Sequence, residues 1–158
     1  MDTSRVSLGE LIAAAGGMVL LVCMFLPWFD GTLTGGGVRF DMPTKTGWQA
    51  FDGVFDVLIV VLASIPIGVA VGRAANRLPP LPMEQDALVL AAGALLFALV
   101  AFRLVDPPDL TDVAVPGLES DTSRKAGVFV AVVAAGAIAA GGYLQRSVRR
   151  VGFEPTSP

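Results

Sequence analysis

The sequence predicts an all-α integral membrane protein, a four-helix bundle of two transmembrane hairpins, and three observations carry that reading. Charged residues are only 16% of the 158 and hydrophobic ones 54%, against about 25% charged in an ordinary soluble domain. Four apolar runs, over residues 8–29, 51–72, 87–105 and 126–144, approach or reach the roughly 20 residues that a helix needs to cross a hydrocarbon core of about 30 Å. A chain this short has too little polar surface to cover four such runs in water.

The first run is uncharged from residue 11 to residue 29. It follows Arg5 but is longer than a signal-peptide core and ends in Leu26-Pro27-Trp28-Phe29, which is no cleavage site, so a retained helix is expected. Glu10, near its start, is explained by the helix macrodipole and nearby headgroups. The second run carries Asp52 and Asp56 at one end and Pro66 in its middle, where a proline removes a backbone hydrogen bond and predicts a kink. The third carries Arg103 near its end, and the fourth is uncharged throughout.

These four runs form a single membrane domain over residues 1–158, with outer loops at 30–50 and 106–125, an inner loop at 73–86 and an inner tail at 145–158. Both termini are expected in the cytoplasm. That orientation puts Arg5, Arg73, Arg77, Arg146, Arg149 and Arg150 inside, against Arg39, Lys45, Arg103, Arg124 and Lys125 outside. The cluster Arg146, Arg149 and Arg150 suits an anionic inner leaflet. Trp28 and Trp48 are expected in an aromatic belt at the outer interface.

In the first outer loop, Thr32-Leu33-Thr34 and Val38-Arg39-Phe40-Asp41-Met42 flank Gly35-Gly36-Gly37, which reads either as a short β-hairpin or as a plain glycine loop. The second holds Asp106, Asp109, Asp112, Glu119 and Asp121 without the spacing of a known calcium loop, so solvated surface charge is expected. The inner loop segment Arg77-Leu78-Pro79-Pro80-Leu81-Pro82 reads as a stiff spacer.

Residue inventory excludes much chemistry. There is no histidine, and the one cysteine is Cys23, so neither a Ser-His or Cys-His nucleophile nor an imidazole metal or haem site is available. No catalytic residue, cofactor or metal is expected. A net charge of -3, with no basic patch outside the segment ends, excludes nucleic acid as a partner.

The polar residues that stand out are Asp52, Asp56 and Arg103. The two aspartates are one helical turn apart on one face, and Arg103 falls at comparable depth on the next hairpin. An arginine inside a membrane normally pairs or lines a wet cavity. Arg103 with Asp56 is therefore expected to form an interhelical ion pair, or alternatively a polar site for an ion or proton. Gly68 with Gly72, and Ala137 with Gly141, have the four-residue spacing that lets helices approach closely.

The runs Phe25-Leu26-Pro27-Trp28-Phe29, Gly47-Trp48-Gln49-Ala50-Phe51 and Phe102-Arg103-Leu104-Val105-Asp106-Pro107-Pro108 resemble a group of uncharacterised small four-helix membrane proteins of high-GC bacteria. The resemblance spans nearly the whole chain and implies an architecture without an activity. The topology is also similar to that of the claudin-like group, but the paired cysteines of that group's first outer loop are missing, so no junctional role is carried over. The expected function is that of a structural or accessory subunit in the plasma membrane, with the bilayer and another membrane protein or further copies as partners. The alternative is an oligomeric channel or small transporter using Asp52, Asp56 and Arg103.

Overall fold

The computed structural model describes residues 7–75, 84–108 and 119–151. In chain order its elements are α1 (Leu8–Cys23), β1 (Pro27–Gly35), β2 (Val38–Asp41), β3 (Lys45–Thr46), α2 (Gly47–Ala50), α3 (Gly53–Ala74), α4 (Gln85–Val105), β4 (Glu119–Arg124) and α5 (Ala126–Val151).

Local chemistry sets the ends of α1. Ser7 and Glu10 form a capping box: Ser7 Oγ accepts from the Glu10 amide at 3.3 Å while the Ser7 amide donates to Glu10 Oε2 at 2.8 Å. The helix stops at Cys23 rather than running on to residue 29 as expected. Pro27 has no N–H to continue it and disfavours helix in the residue before. Trp28 folds back, and its indole Nε1 donates to the Cys23 carbonyl at 2.7 Å, satisfying one of the acceptors that a helix end leaves open.

From there the chain becomes β-sheet, which overturns the all-α expectation: the protein is mostly helical but carries a four-stranded antiparallel sheet. β1 is its centre. Phe29 pairs with both Lys45 and Arg124, and Thr32 with both Asp41 and Asp121, so β2 and β3 share one edge of β1 and β4 takes the other. The hairpin between β1 and β2 turns through Gly36 (φ 58°) and Gly37 (φ 78°), the left-handed pair that a two-residue turn matched to strand twist demands. The fourth strand, β4, comes from a Ser- and Asp-rich segment with no apolar face, joined to β1 by main-chain pairing over Phe29–Thr34.

The second run forms the long α3, preceded by the single turn α2 where outer loop was expected, and the last helix continues past residue 144 to Val151. Pro66 lies fully buried within the continuous α3, where Gly17 of α1 packs against it and Ala63. α5 lies between α1 and α4, with α3 closing the bundle against both. Leu20, Ile59, Leu96, Val100 and Ile138 fill the interior, and Met24, Trp28 and Phe29 continue this core into the base of the sheet. α1 and α5 cross at Gly9 and Gly141, where a Cβ on Gly141 would lie 2.5 Å from the Gly9 carbonyl oxygen. Such backbone contact admits no side chain.

α3, α4 and α5 are each long and apolar enough to cross a membrane, and their outer faces expose large apolar side chains, among them Val57, Val61, Phe97, Phe102 and Val133. A soluble protein does not present so much apolar surface, and the chain is a membrane protein. α1 has 16 residues, about 24 Å of helix, and packs alongside.

Candidate functional site

Polar groups concentrate at the two ends of the bundle, and they do so differently. At the sheet end lie the residues expected to form a site. Asp52 is exposed at the N-cap position of α3, with no side-chain capping bond. Asp56, one turn on, is buried, and its Oδ1 has no hydrogen-bond partner among the described residues. Arg103 does not meet it. The guanidinium sits 5.3 Å from the ring centroid of Phe51, a cation–π contact, and no Arg103–Asp56 ion pair forms among the described residues. Phe51 in turn meets the indole of Trp28 edge-on at 6.0 Å.

Trp28 itself is corrected from interfacial anchor to core residue, with no exposed surface. Its Nε1–H finds an acceptor inside the protein and has no need of the headgroup region. Trp48 is exposed and packs edge-on against Phe25 at 5.6 Å. Gly68 faces open space, whereas Gly141 makes the helix crossing and Ala137 is half-buried. Gly72 is likewise half-buried.

The opposite, open end holds a cluster that the sequence reading did not assemble. The last turn of α3 supplies Arg73, the first turn of α4 supplies Gln85 and Asp86, and the first turn of α1 supplies Glu10. Arg73 Nη1 pairs with Glu10 Oε1, and Arg73 Nη2 donates to Gln85 Oε1 at 2.7 Å. One guanidinium therefore ties three helices together. The side chain of Glu10 is 1% exposed, so this is a buried ion pair whose members depend on one another.

Beside it opens a cavity of about 310 Å³, at the lower limit of ligand-sized pockets. Ser7, Arg73, Asp86 and Gln145 give it polar walls, and Leu8, Leu144 and Val148 give it aliphatic ones. Asp86 is 3% exposed. Gln145 Nε2 is buried without a hydrogen-bond partner among the described residues. Donors, a carboxylate and an aliphatic wall in one cavity suit an amphipathic molecule.

One signal for this cluster was present in the sequence: Ser7-Leu8-Gly9-Glu10 has capping-box spacing, which fixes Glu10 in the first turn of α1. Nothing in the sequence sends its carboxylate inward. Gln145 falls just past the expected end of the fourth helix, so the extra turns of α5 had to be seen before it could be placed.

Arg146 is half-buried near the same end. The side chains of Arg149 and Arg150, the segment 77–82, and Asp109 and Asp112 lie outside the described residues. Glu119 and Asp121 are exposed on β4. No protein-family model matches the chain, and no curated protein matches it in sequence.

Proposed function

We propose that the chain is a non-catalytic structural or accessory subunit of the plasma membrane, which associates with another membrane protein or with further copies of itself. In this reading α1 crosses the bilayer beside α3, α4 and α5, both termini are cytoplasmic, and the sheet stands on the outer side. The orientation is supported by how the cations are used. At the sheet end Lys125 pairs with Asp30 at 2.8 Å, Arg124 donates to the carbonyls of Leu104 and Val105, and Arg103 lies on Phe51. The run Arg146, Arg149 and Arg150 after the last apolar stretch supplies juxtamembrane charge of the kind that holds a segment inside.

The observation that carries the accessory reading is the filled interior: Leu20, Ile59, Leu96, Val100 and Ile138 occupy the space between the helices with no exposed surface. A bundle packed in this way offers its outer faces and its sheet for association, and its described helices leave no space between these residues for a conduit. Native mass spectrometry of the protein extracted from its own membrane, without overexpression, tests this directly. Recovery with a second protein at fixed stoichiometry is expected; recovery only as a lone monomer would refute association.

One observation favours a second reading, the oligomeric channel. Asp56 Oδ1 is buried without a partner among the described residues, and an unpaired carboxylate in an apolar helix is a common mark of an ion or proton path. Recovery as a closed homo-oligomer, together with ion flux in vesicles that is abolished by Asp56→Asn, is the result that would establish it.

A further inference from the structure

Neither reading of function uses the cavity at the open end, and its chemistry is two-sided. Gln145 Nε2 is buried there without a hydrogen-bond partner among the described residues, and a buried donor of this kind calls for an acceptor. Arg73 spends one N–H on Glu10 and one on Gln85, which leaves further donors on its guanidinium. The facing wall holds the carboxylate of Asp86, 3% exposed, and a carboxylate accepts several hydrogen bonds at once.

The depth of the cavity narrows the choice of ligand. Arg73 and Asp86 stand in the terminal turns of α3 and α4, both long enough to span a membrane, so the cavity lies at headgroup level. Leu8 and Val148, 71% and 73% exposed, extend its rim along the outer surface of the bundle. A matching ligand has acceptor oxygens, a cation that carries N–H, and an apolar body that leaves the cavity sideways.

We propose that this cavity binds a zwitterionic glycerophospholipid with a primary-amine headgroup, of which phosphatidylethanolamine is the simplest. The phosphate accepts from Gln145 and Arg73, the ammonium donates to Asp86, and the acyl chains run past Leu8 and Val148. A choline headgroup offers no N–H to Asp86. A glycerol headgroup offers Asp86 no cation.

The test is lipid retention by the full chain in detergent, read by native mass spectrometry after titration with equal amounts of phosphatidylethanolamine, phosphatidylcholine and phosphatidylglycerol. The ethanolamine lipid should be retained about tenfold better than either competitor, the discrimination expected of one charge-assisted hydrogen bond. Gln145→Leu should lower retention of all three lipids, and Asp86→Asn should remove most of the preference among them. Val148→Trp, at an exposed position where folding is not at risk, should lower retention by narrowing the mouth. Equal retention of ethanolamine and choline lipids would overturn the proposal, as would wild-type retention in both Gln145→Leu and Val148→Trp. Displacement by an equal concentration of soluble glycerophosphoethanolamine would show a site for a free headgroup and would overturn the assignment to a lipid.

Discussion

The two ends of the bundle use their charged residues in opposite ways. At the sheet end the polar contacts are many and shallow: Lys125 with Asp30 is partly exposed on both sides, and Arg39 approaches Asp41 only to 3.9 Å with both side chains in solvent. Structure there comes from main-chain pairing along β1 and from Trp28 and Phe29 beneath it. At the open end there are few contacts, but Glu10 is buried and Arg73 is its counterion. The worth of an ionisable group follows from its burial and from what is left behind when its partner goes, so the smaller set should matter more.

The largest expected effect follows directly. Arg73→Met strands the Glu10 carboxylate inside the bundle, and removing one member of a buried ion pair typically costs about 3–5 kcal/mol. Chemical denaturation in micelles should show that loss, and Arg73→Met combined with Glu10→Leu should recover a large part of it. An unchanged midpoint in the single variant would erase the contrast between the two ends.

Next come the helix crossings. Gly141→Leu forces a side chain into the Gly9 backbone, and overpacking of this kind costs roughly 1–3 kcal/mol. Gly68→Leu is the matched control, because a Cβ there meets nothing within 4 Å; its midpoint should stay the same or rise slightly as glycine leaves a helix. The two positions carry the same small-residue signature in the sequence and separate only in the folded chain.

At the junction of the two regions, Trp28→Phe keeps most of the ring and removes the N–H bound to Cys23. The Cys23 carbonyl keeps its bond from the Leu26 amide at 3.0 Å, so the loss is that of one net hydrogen bond, about 1 kcal/mol. Thermal unfolding followed by far-ultraviolet circular dichroism reads this loss. A value near zero would mean that water replaces the indole, and that the base of the sheet is wetter than its burial implies.

What the sequence made legible was set by hydrophobic length. The apolar runs located α3, α4 and α5 to within a few residues at most ends, because bilayer thickness is a strict ruler, whereas Gly35-Gly36-Gly37 suited a hairpin and a plain loop equally until the left-handed Gly36 and Gly37 decided for the turn between β1 and β2. β4 was hidden because Glu119–Arg124 has no alternation to betray a strand, and its pairing partner lies about ninety residues earlier. Trp28 and Trp48 are the same residue type at the same end, yet one is core and the other exposed; only the early stop of α1 distinguishes them. Arg103 and Asp56 were paired on depth alone, and depth does not fix the direction in which a side chain leaves its helix.

The smallest expected effect is the most direct probe of the sheet end. Lys125 and Asp30 pair at 2.8 Å, but both follow from a register already fixed around them: Asp30 sits opposite Ser123, Phe29 opposite Arg124, and the Lys125 amide donates to the Trp28 carbonyl at 2.8 Å. The ion pair is then a consequence of strand pairing and not its cause. With side chains 44% and 35% exposed, solvent and salt screen it. A double-mutant cycle on Lys125→Met and Asp30→Asn should give a coupling below about 1 kcal/mol, falling further at high salt. A salt-insensitive coupling of several kcal/mol would place a desolvated pair at this end too. The sheet would then be held by charge much as the open end is, and the difference between the two ends would be one of degree.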